Sequence, residues 1–167
     1  MTFSSSRPVD LLLDAARRGD LTALKKLIDE GANVNEPGPR GFTPLIIATY
    51  NNQPAAARML LEAGANVNAQ DAAGNTALMG QCFNGYEGIA ELLLEHGAKL
   101  DVQNGSGATG LMFATMYGCN TMVKFMLEQG ANTEIRDSNG LTAQQLASQV
   151  GNDEALQLFA ASAKSES

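Results

Sequence analysis

The clearest candidates for a nucleophile and its base are two cysteines and one histidine. Cys82 and Cys119 are the only cysteines of the chain, and His96 is its single histidine. A thiol activated by a neighbouring imidazole is the arrangement that thiol-dependent hydrolases use. His96, however, comes directly before Gly97 at the end of a predicted helix, which is typical of a surface residue that interacts with the helix C-terminus. A thiol hydrolase that uses Cys82 is therefore a distant hypothesis.

The other polar motifs do not indicate a reaction. The cysteines lack a Cys-x-x-Cys spacing, so they predict neither a zinc site nor a disulfide framework. Glu91 and Glu95 are four residues apart, which is typical of the solvated face of a helix. Gly105-Ser106-Gly107 is followed by no lysine that would help to bind a phosphate group. We therefore expect a protein that is not an enzyme and binds no metal and no cofactor.

Composition and charge predict a folded, acidic protein. Hydrophobic residues make up 44% of the chain and charged residues 17%, a balance typical of an ordered protein. The formal net charge of −7 works against binding to DNA or RNA. No segment approaches the roughly 20 apolar residues of a membrane helix, and residues 1–20 show no signal-peptide pattern. Because reduced thiols suit a reducing compartment, we expect a cytoplasmic protein that contacts no membrane and is a monomer when free.

Basic residues are concentrated at the start of the chain. Six of the eleven lysine and arginine residues lie within the first 40 positions. Asp10, Asp14, Asp20 and Asp29 alternate with them, which is typical of a solvated surface. A site for a small anion or an acidic partner is the alternative interpretation.

Two sequence patterns recur along the chain with one period. A Gly-Ala pair begins at Gly31, Gly64, Gly97 and Gly130, and a Gly-x-Thr pattern begins at Gly41, Gly74, Gly107 and Gly140. The step within each series is 33 residues. Self-similarity at a fixed period of this size is the signature of a repeat array, in which each unit packs on its neighbours.

Within each repeat, the sequence predicts two short helices. Leu24, Leu27 and Ile28 have the i, i+3, i+4 spacing of one helical face, and Thr43-Pro44 is typical of an N-cap followed by a first turn. Helices of this length are unstable alone in water, so they must stack. The predicted helices cover residues 10–19, 21–30, 43–51, 54–63, 76–84, 87–96, 109–117, 121–129, 142–150 and 153–161.

These units resemble ankyrin repeats, whose first helix begins with Thr-Pro-Leu-His-x-Ala. The second unit, Gly41-Phe42-Thr43-Pro44-Leu45-Ile46-Ile47-Ala48, is the best match, and the first and last units are similar to the family's capping repeats. The resemblance covers residues 9–161 and implies an all-α ankyrin-repeat solenoid of stacked helix-turn-helix units joined by β-turn or hairpin loops. The repeats are expected at about 9–35, 36–68, 69–101, 102–134 and 135–161, with flexible ends at residues 1–8 and 162–167.

The resemblance implies a concave groove, lined by turns and inner helices, that binds a protein partner. Aromatic residues, methionine and arginine are favoured at the centre of interfaces, although any one of these side chains could instead fold between neighbouring helices. The expected partner-binding residues are Arg17, Arg18, Arg40, Phe42, Tyr50, Asn51, Phe83, Asn84, Met116 and Tyr117. The alternative function is an inhibitor or immunity-type protein that blocks a partner enzyme or toxin.

The fourth repeat departs from the family pattern at Gly110, which stands where proline is usual. Glycine adds backbone entropy to the unfolded chain. Ile46, Met79, Met112 and Gln145 replace the histidine of the family motif, so we also expect the hydrogen bonds of that histidine to be absent.

We therefore predict a softer fourth repeat. In native-state hydrogen exchange, the amides of residues 102–134 should exchange faster than those of residues 36–101. Uniform protection across the second to fourth repeats would contradict this prediction.

Overall fold

The computed structural model describes residues 7–165, which form a stack of paired helices. The ten α-helices of this range are α1 Pro8–Arg18, α2 Leu21–Asp29, α3 Pro44–Tyr50, α4 Pro54–Glu62, α5 Ala77–Asn84, α6 Glu87–Glu95, α7 Gly110–Met116, α8 Asn120–Glu128, α9 Ala143–Val150 and α10 Asp153–Ser165. The predicted all-α repeat solenoid is confirmed.

The two ends of the domain are more helical than the sequence predicts. Of the expected flexible arm at residues 1–8, the structure describes only the last two, and α1 already begins at Pro8. In the expected tail at residues 162–167, α10 continues as far as Ser165. Its last turns contain three alanines between positions 160 and 163, and alanine is the strongest helix former.

Successive helix pairs lie side by side, so the odd-numbered helices form an inner layer and the even-numbered helices an outer layer. α1 packs on α3, α3 on α5, α5 on α7 and α7 on α9, while α2 packs on α4 and α8 on α10. The core repeats from unit to unit, and the equivalent residues Leu45, Leu78 and Leu111 are only 1–3% exposed. Gln144 holds this position in the last unit and is exposed, as expected of a capping repeat whose outer face meets water.

Threonine side chains begin the inner helices α3, α5, α7 and α9. Each hydroxyl oxygen accepts a hydrogen bond from the backbone N–H three residues later, at 3.2–3.3 Å. These bonds satisfy a donor that has no partner within the helix. In the last unit, Gln145 Oε1 also accepts from the backbone N–H of Thr142 at 2.9 Å, which completes a capping box. Gln145 thus makes a capping bond of its own at the position of the family histidine, because its side chain is long enough to reach back.

Backbone hydrogen bonds join the turn tips, the short segments that end at Gly41, Gly74, Gly107 and Gly140. The N–H groups of Ala72, Gly105 and Ser138 donate to the carbonyls of the preceding tips, on Arg40, Ala73 and Ser106, at 2.9–3.0 Å. The first three tip glycines have φ between 73° and 85°. A Cβ atom at any of them would lie 2.7–2.8 Å from a backbone nitrogen of the next tip. Glycine is thus required both by the conformation and by the close contact.

Asparagine side chains connect the units a second time. Asn35 and Asn68 each donate to the carbonyl of the glycine 29 residues later and accept from the backbone N–H 31 residues later. Asp101, the next member of the series, only accepts, from Asn132 at 2.9 Å, because a carboxylate has no N–H to donate. These bonds, like those of the turn tips, keep successive units in one register.

We predict that Gly107→Ala destabilises the protein more than Gly140→Ala. Both glycines have positive φ, 73° and 80°, so both changes incur the left-handed cost of about 1–2 kcal/mol. At Gly107 the new Cβ would meet the next tip, 2.8 Å from Ser138 N, whereas at Gly140 no described residue other than the chain neighbours lies within 4 Å of the Cβ position. Overpacking should add about 1–3 kcal/mol at Gly107. Urea unfolding measures the free energy of unfolding of both variants. Equal losses of stability in the two variants would show that the contact at Gly107 adds no cost.

Candidate functional site

Aromatic side chains of α5, of α7 and of the residue that follows α7 form a cluster on the inner layer. The rings of Phe83 and Tyr117 meet edge to face, with centroids 4.9 Å apart, and Tyr117 also stacks on Phe113 at 6.1 Å. Phe83 and Tyr117 are 49% and 56% exposed, and Tyr50 and Met116 are 51% and 40% exposed. None of these four side chains is therefore folded away between neighbouring helices, which was the alternative left open by the sequence.

The aromatic cluster lines a cavity of about 590 Å³, which we call the groove. Residues from four consecutive units meet there because the 33-residue period aligns them. Six of the expected partner-binding residues line the groove: Arg17, Phe42, Tyr50, Asn51, Phe83 and Tyr117.

The floor of the groove was missed by the sequence interpretation. Ile47, Gly80 and Phe113 line it and hold equivalent positions of α3, α5 and α7. Because Gly80 has no side chain, the floor contains a notch between its two neighbours. The nearest atom to a Cβ at Gly80 would be Cδ2 of Tyr50, at 3.7 Å. The sequence spacing could have indicated these groove residues, because each comes three positions before Tyr50, Phe83 or Met116 and thus lies on the same helix face.

Three further side chains at the groove were not among the expected partner-binding residues. Asp71, Asn75 and Met79 line the cavity. Asp71 Oδ1 accepts hydrogen bonds from the backbone N–H groups of Ala73 and Asn75, both at 2.9 Å. Its carboxylate is thus engaged in holding the turn tip, which repeats at Asn104 and Asp137.

Four of the expected partner-binding residues do not line the groove. Met116 is exposed beside Tyr117. Arg40 is exposed at the first turn tip, with φ of 60°. Asn84 is occupied within the fold, because its Nδ2 donates to the backbone carbonyl of Tyr50 at 3.1 Å.

Arg18, the fourth, is neutralised by its neighbours. Its guanidinium lies 2.8 Å from Asp14 and 3.3 Å from Asp20. The hydrogen bond and charge of Asp14, helped by Asp20, raise the pKa of Arg18. By contrast, Arg17 and Arg40 take part in no salt bridge among residues 7–165. The positive charge that is free to meet a partner at this end of the groove therefore comes from Arg17 and Arg40.

The cysteine and the histidine do not form a catalytic pair. The Cys82 side chain is fully buried, and burial, with a smaller effect from Cys119, raises the pKa of its thiol to about 12. Because only the thiolate is an effective nucleophile, Cys82 is inert near neutral pH. His96 Nδ1 lies 2.9 Å from the carbonyl oxygen of Leu92, one turn earlier in its own helix. The geometry therefore argues against the thiol-hydrolase hypothesis.

Cys82 instead explains the unusual glycine of the fourth repeat. A Cβ at Gly110 would lie 3.0 Å from Sγ of Cys82 and 3.4 Å from Cε of Met126. The thiol thus occupies the space that a side chain at position 110 would need.

Neither a membrane-spanning helix nor a metal-binding cluster is found among residues 7–165. No helix between residues 7 and 165 is both long and apolar enough to cross a membrane. The same range contains no group of three or more His, Cys, Asp or Glu side chains that could hold a metal ion.

Comparison with known proteins agrees with the repeat architecture. A family model described as "Ankyrin repeats (3 copies)" matches residues 12–104, more than half of the chain. A second, "Ankyrin repeats (many copies)", matches residues 93–147. A search of curated proteins found no match.

We predict that iodoacetamide at pH 8 alkylates Cys119 and spares Cys82 in the native protein. Cys119 is only partly buried, whereas the Cys82 thiol stays protonated far above pH 8. The raised pKa of the Cys82 thiol also makes the stability of the fold depend on pH. Its stabilising contribution is complete below about pH 9 and is lost as the pH rises towards 12. The Cys119→Ser variant is the control. Mass spectrometry should find its remaining thiol, that of Cys82, alkylated only in urea. Rapid labelling of native Cys119→Ser would show that the thiol is accessible.

Proposed function

Since this chain belongs to the ankyrin-repeat family, whose repeats generally serve protein–protein interaction, we propose that its groove binds a protein partner. The half-exposed aromatic cluster is the observation that carries this proposal. Contiguous exposed apolar surface commonly marks an interaction site, and aromatic residues are enriched at interface centres. We propose Tyr50, Phe83 and Tyr117 as the anchors, with Met116 beside them.

The polar residues at the edge of the groove suit a partner that forms hydrogen bonds and ion pairs there. Asn51 donates through Nδ2 to the carbonyl of Ile47 at 2.8 Å, which leaves its side-chain oxygen as an acceptor. Arg17 and Arg40 supply a charged rim at the amino-terminal end. Arg18 and Asn84 act through the fold, since their polar atoms already have partners.

We propose that the protein is non-catalytic, cytoplasmic and monomeric when free, and that it contacts neither nucleic acid nor membrane. The buried thiol of Cys82 disfavours an enzyme that uses it. An adaptor and an inhibitor that blocks a partner enzyme or toxin would use the same groove, so the identity of the partner distinguishes these two roles.

Replacing Tyr50, Phe83 and Tyr117 together with serine should abolish recovery of the partner in affinity purification from the native source. Loss of two or more hot-spot side chains weakens binding by at least about 100-fold. Quantitative mass spectrometry compares this bait with the wild-type protein, and circular dichroism checks that the variant is folded.

The matched control is the double change Leu11→Ser and Leu21→Ser. These side chains are also apolar and exposed, at 45% and 39%, but they do not line the groove. The control bait should recover the same partner as the wild-type bait. Undiminished recovery by the folded groove variant would show that the partner binds elsewhere.

A further inference from the structure

We infer that the groove takes a short segment of its partner in which a large apolar side chain enters the notch above Gly80 and a neighbouring acidic side chain pairs with Arg17. This inference rests on the proposed function and specifies the chemistry of the partner at the same site.

The notch is a place that the chain itself leaves unfilled. The equivalent positions on either side carry Ile47 and Phe113, whose side chains line the groove, whereas Gly80 contributes backbone only. Among residues 7–165, and apart from the chain neighbours of Gly80 and the backbone of its own helix, only Tyr50 has an atom within 4 Å of a Cβ at Gly80, and its distance of 3.7 Å is an ordinary contact. An apolar side chain of a partner could therefore reach the floor of the groove at this one unit.

The aromatic rings that line the same cavity are apolar and already ordered. Phe83 meets Tyr117 edge to face, and Tyr117 is in turn stacked on Phe113, so each ring restrains the next. Binding to rings that are held in place costs less side-chain entropy than binding to free ones. An aliphatic or aromatic side chain would meet ring faces and edges here, while a charged one would lose its hydration without a partner.

The charge at the end of the groove favours an acidic neighbour for that apolar residue. Arg17 lines the same cavity as the aromatic rings and has no salt bridge among residues 7–165. The carboxylate of Asp71, also at the groove, accepts two backbone N–H groups. The net charge of −7 opposes an acidic partner at a distance, but salt screens that repulsion beyond about 8 Å, whereas Arg17 acts at contact.

Selection of random dodecapeptides displayed on phage against the wild-type protein tests the inference. The enriched sequences should share a Leu, Ile, Met or Phe within a few positions of an Asp or Glu. Fluorescence anisotropy of the synthetic peptides then gives their affinities for four further proteins: Gly80→Leu, Gly88→Leu, Arg17→Glu and the triple serine variant of the groove.

Gly80→Leu fills the notch, and we expect it to weaken peptide binding at least about tenfold. Gly88→Leu is the matched control, because Gly88 lies in α6 and, its own helix backbone and chain neighbours aside, no atom of residues 7–165 lies within 4 Å of its Cβ position. This variant should bind like the wild-type protein. A second selection on Arg17→Glu should enrich lysine or arginine in place of the acidic residue.

The outcomes separate this inference from the proposed function. Peptides that bind Gly80→Leu as well as the wild-type protein, but not the triple serine variant, would overturn the notch and leave the groove as the binding site. Equal binding to all variants would overturn both. If no sequence is enriched, or the acidic preference survives in Arg17→Glu, the inference is wrong, and the partner purification still decides the proposed function.

Discussion

The contact between successive turn tips is the constraint on which the rest of this structure depends. Each of the last three tips donates one backbone hydrogen bond to the tip before it at 2.9–3.0 Å, and glycine at Gly41, Gly74 and Gly107 permits that approach. The short inner helices could not persist alone in water, so their stability comes from stacking in this register. In the last tip, no residue between 7 and 165 apart from the chain neighbours comes within 4 Å of a Cβ at Gly140, and the polar Gln144 is exposed.

The same register creates a surface that no single repeat contains. Every inner helix presents one face at the same angle, so residues that do not recur in sequence become neighbours in space. A basic residue from the first unit, a tyrosine from the second, a glycine and a phenylalanine from the third and two aromatic residues from the fourth thus meet around one cavity. The geometry of the scaffold repeats from unit to unit while the side chains at the groove differ between units, which is why the fold alone does not specify the partner.

The fold was more predictable than the groove for a physical reason. Positive φ, helix capping and close backbone contact each require particular residues, so Gly107 and the capping threonines are visible in the sequence. The shape of the groove depends on the space that the side chains of neighbouring units leave unfilled. That Asp14 neutralises Arg18 could be anticipated from their i, i+4 spacing. The engagement of Asn84 with Tyr50, the approach of Tyr50 to Gly80 and the contact of Cys82 with the Gly110 position require the coordinates.

Photo-crosslinking from a single position tests most directly whether this groove is where the partner binds. Phe83, in the aromatic cluster, is replaced with p-benzoylphenylalanine, and Leu21, which is exposed outside the groove, receives the same replacement in a second protein. After irradiation in the native source, the account predicts a covalent adduct with the partner from position 83 and none from position 21. An adduct from position 21 alone, or from neither position, would contradict it.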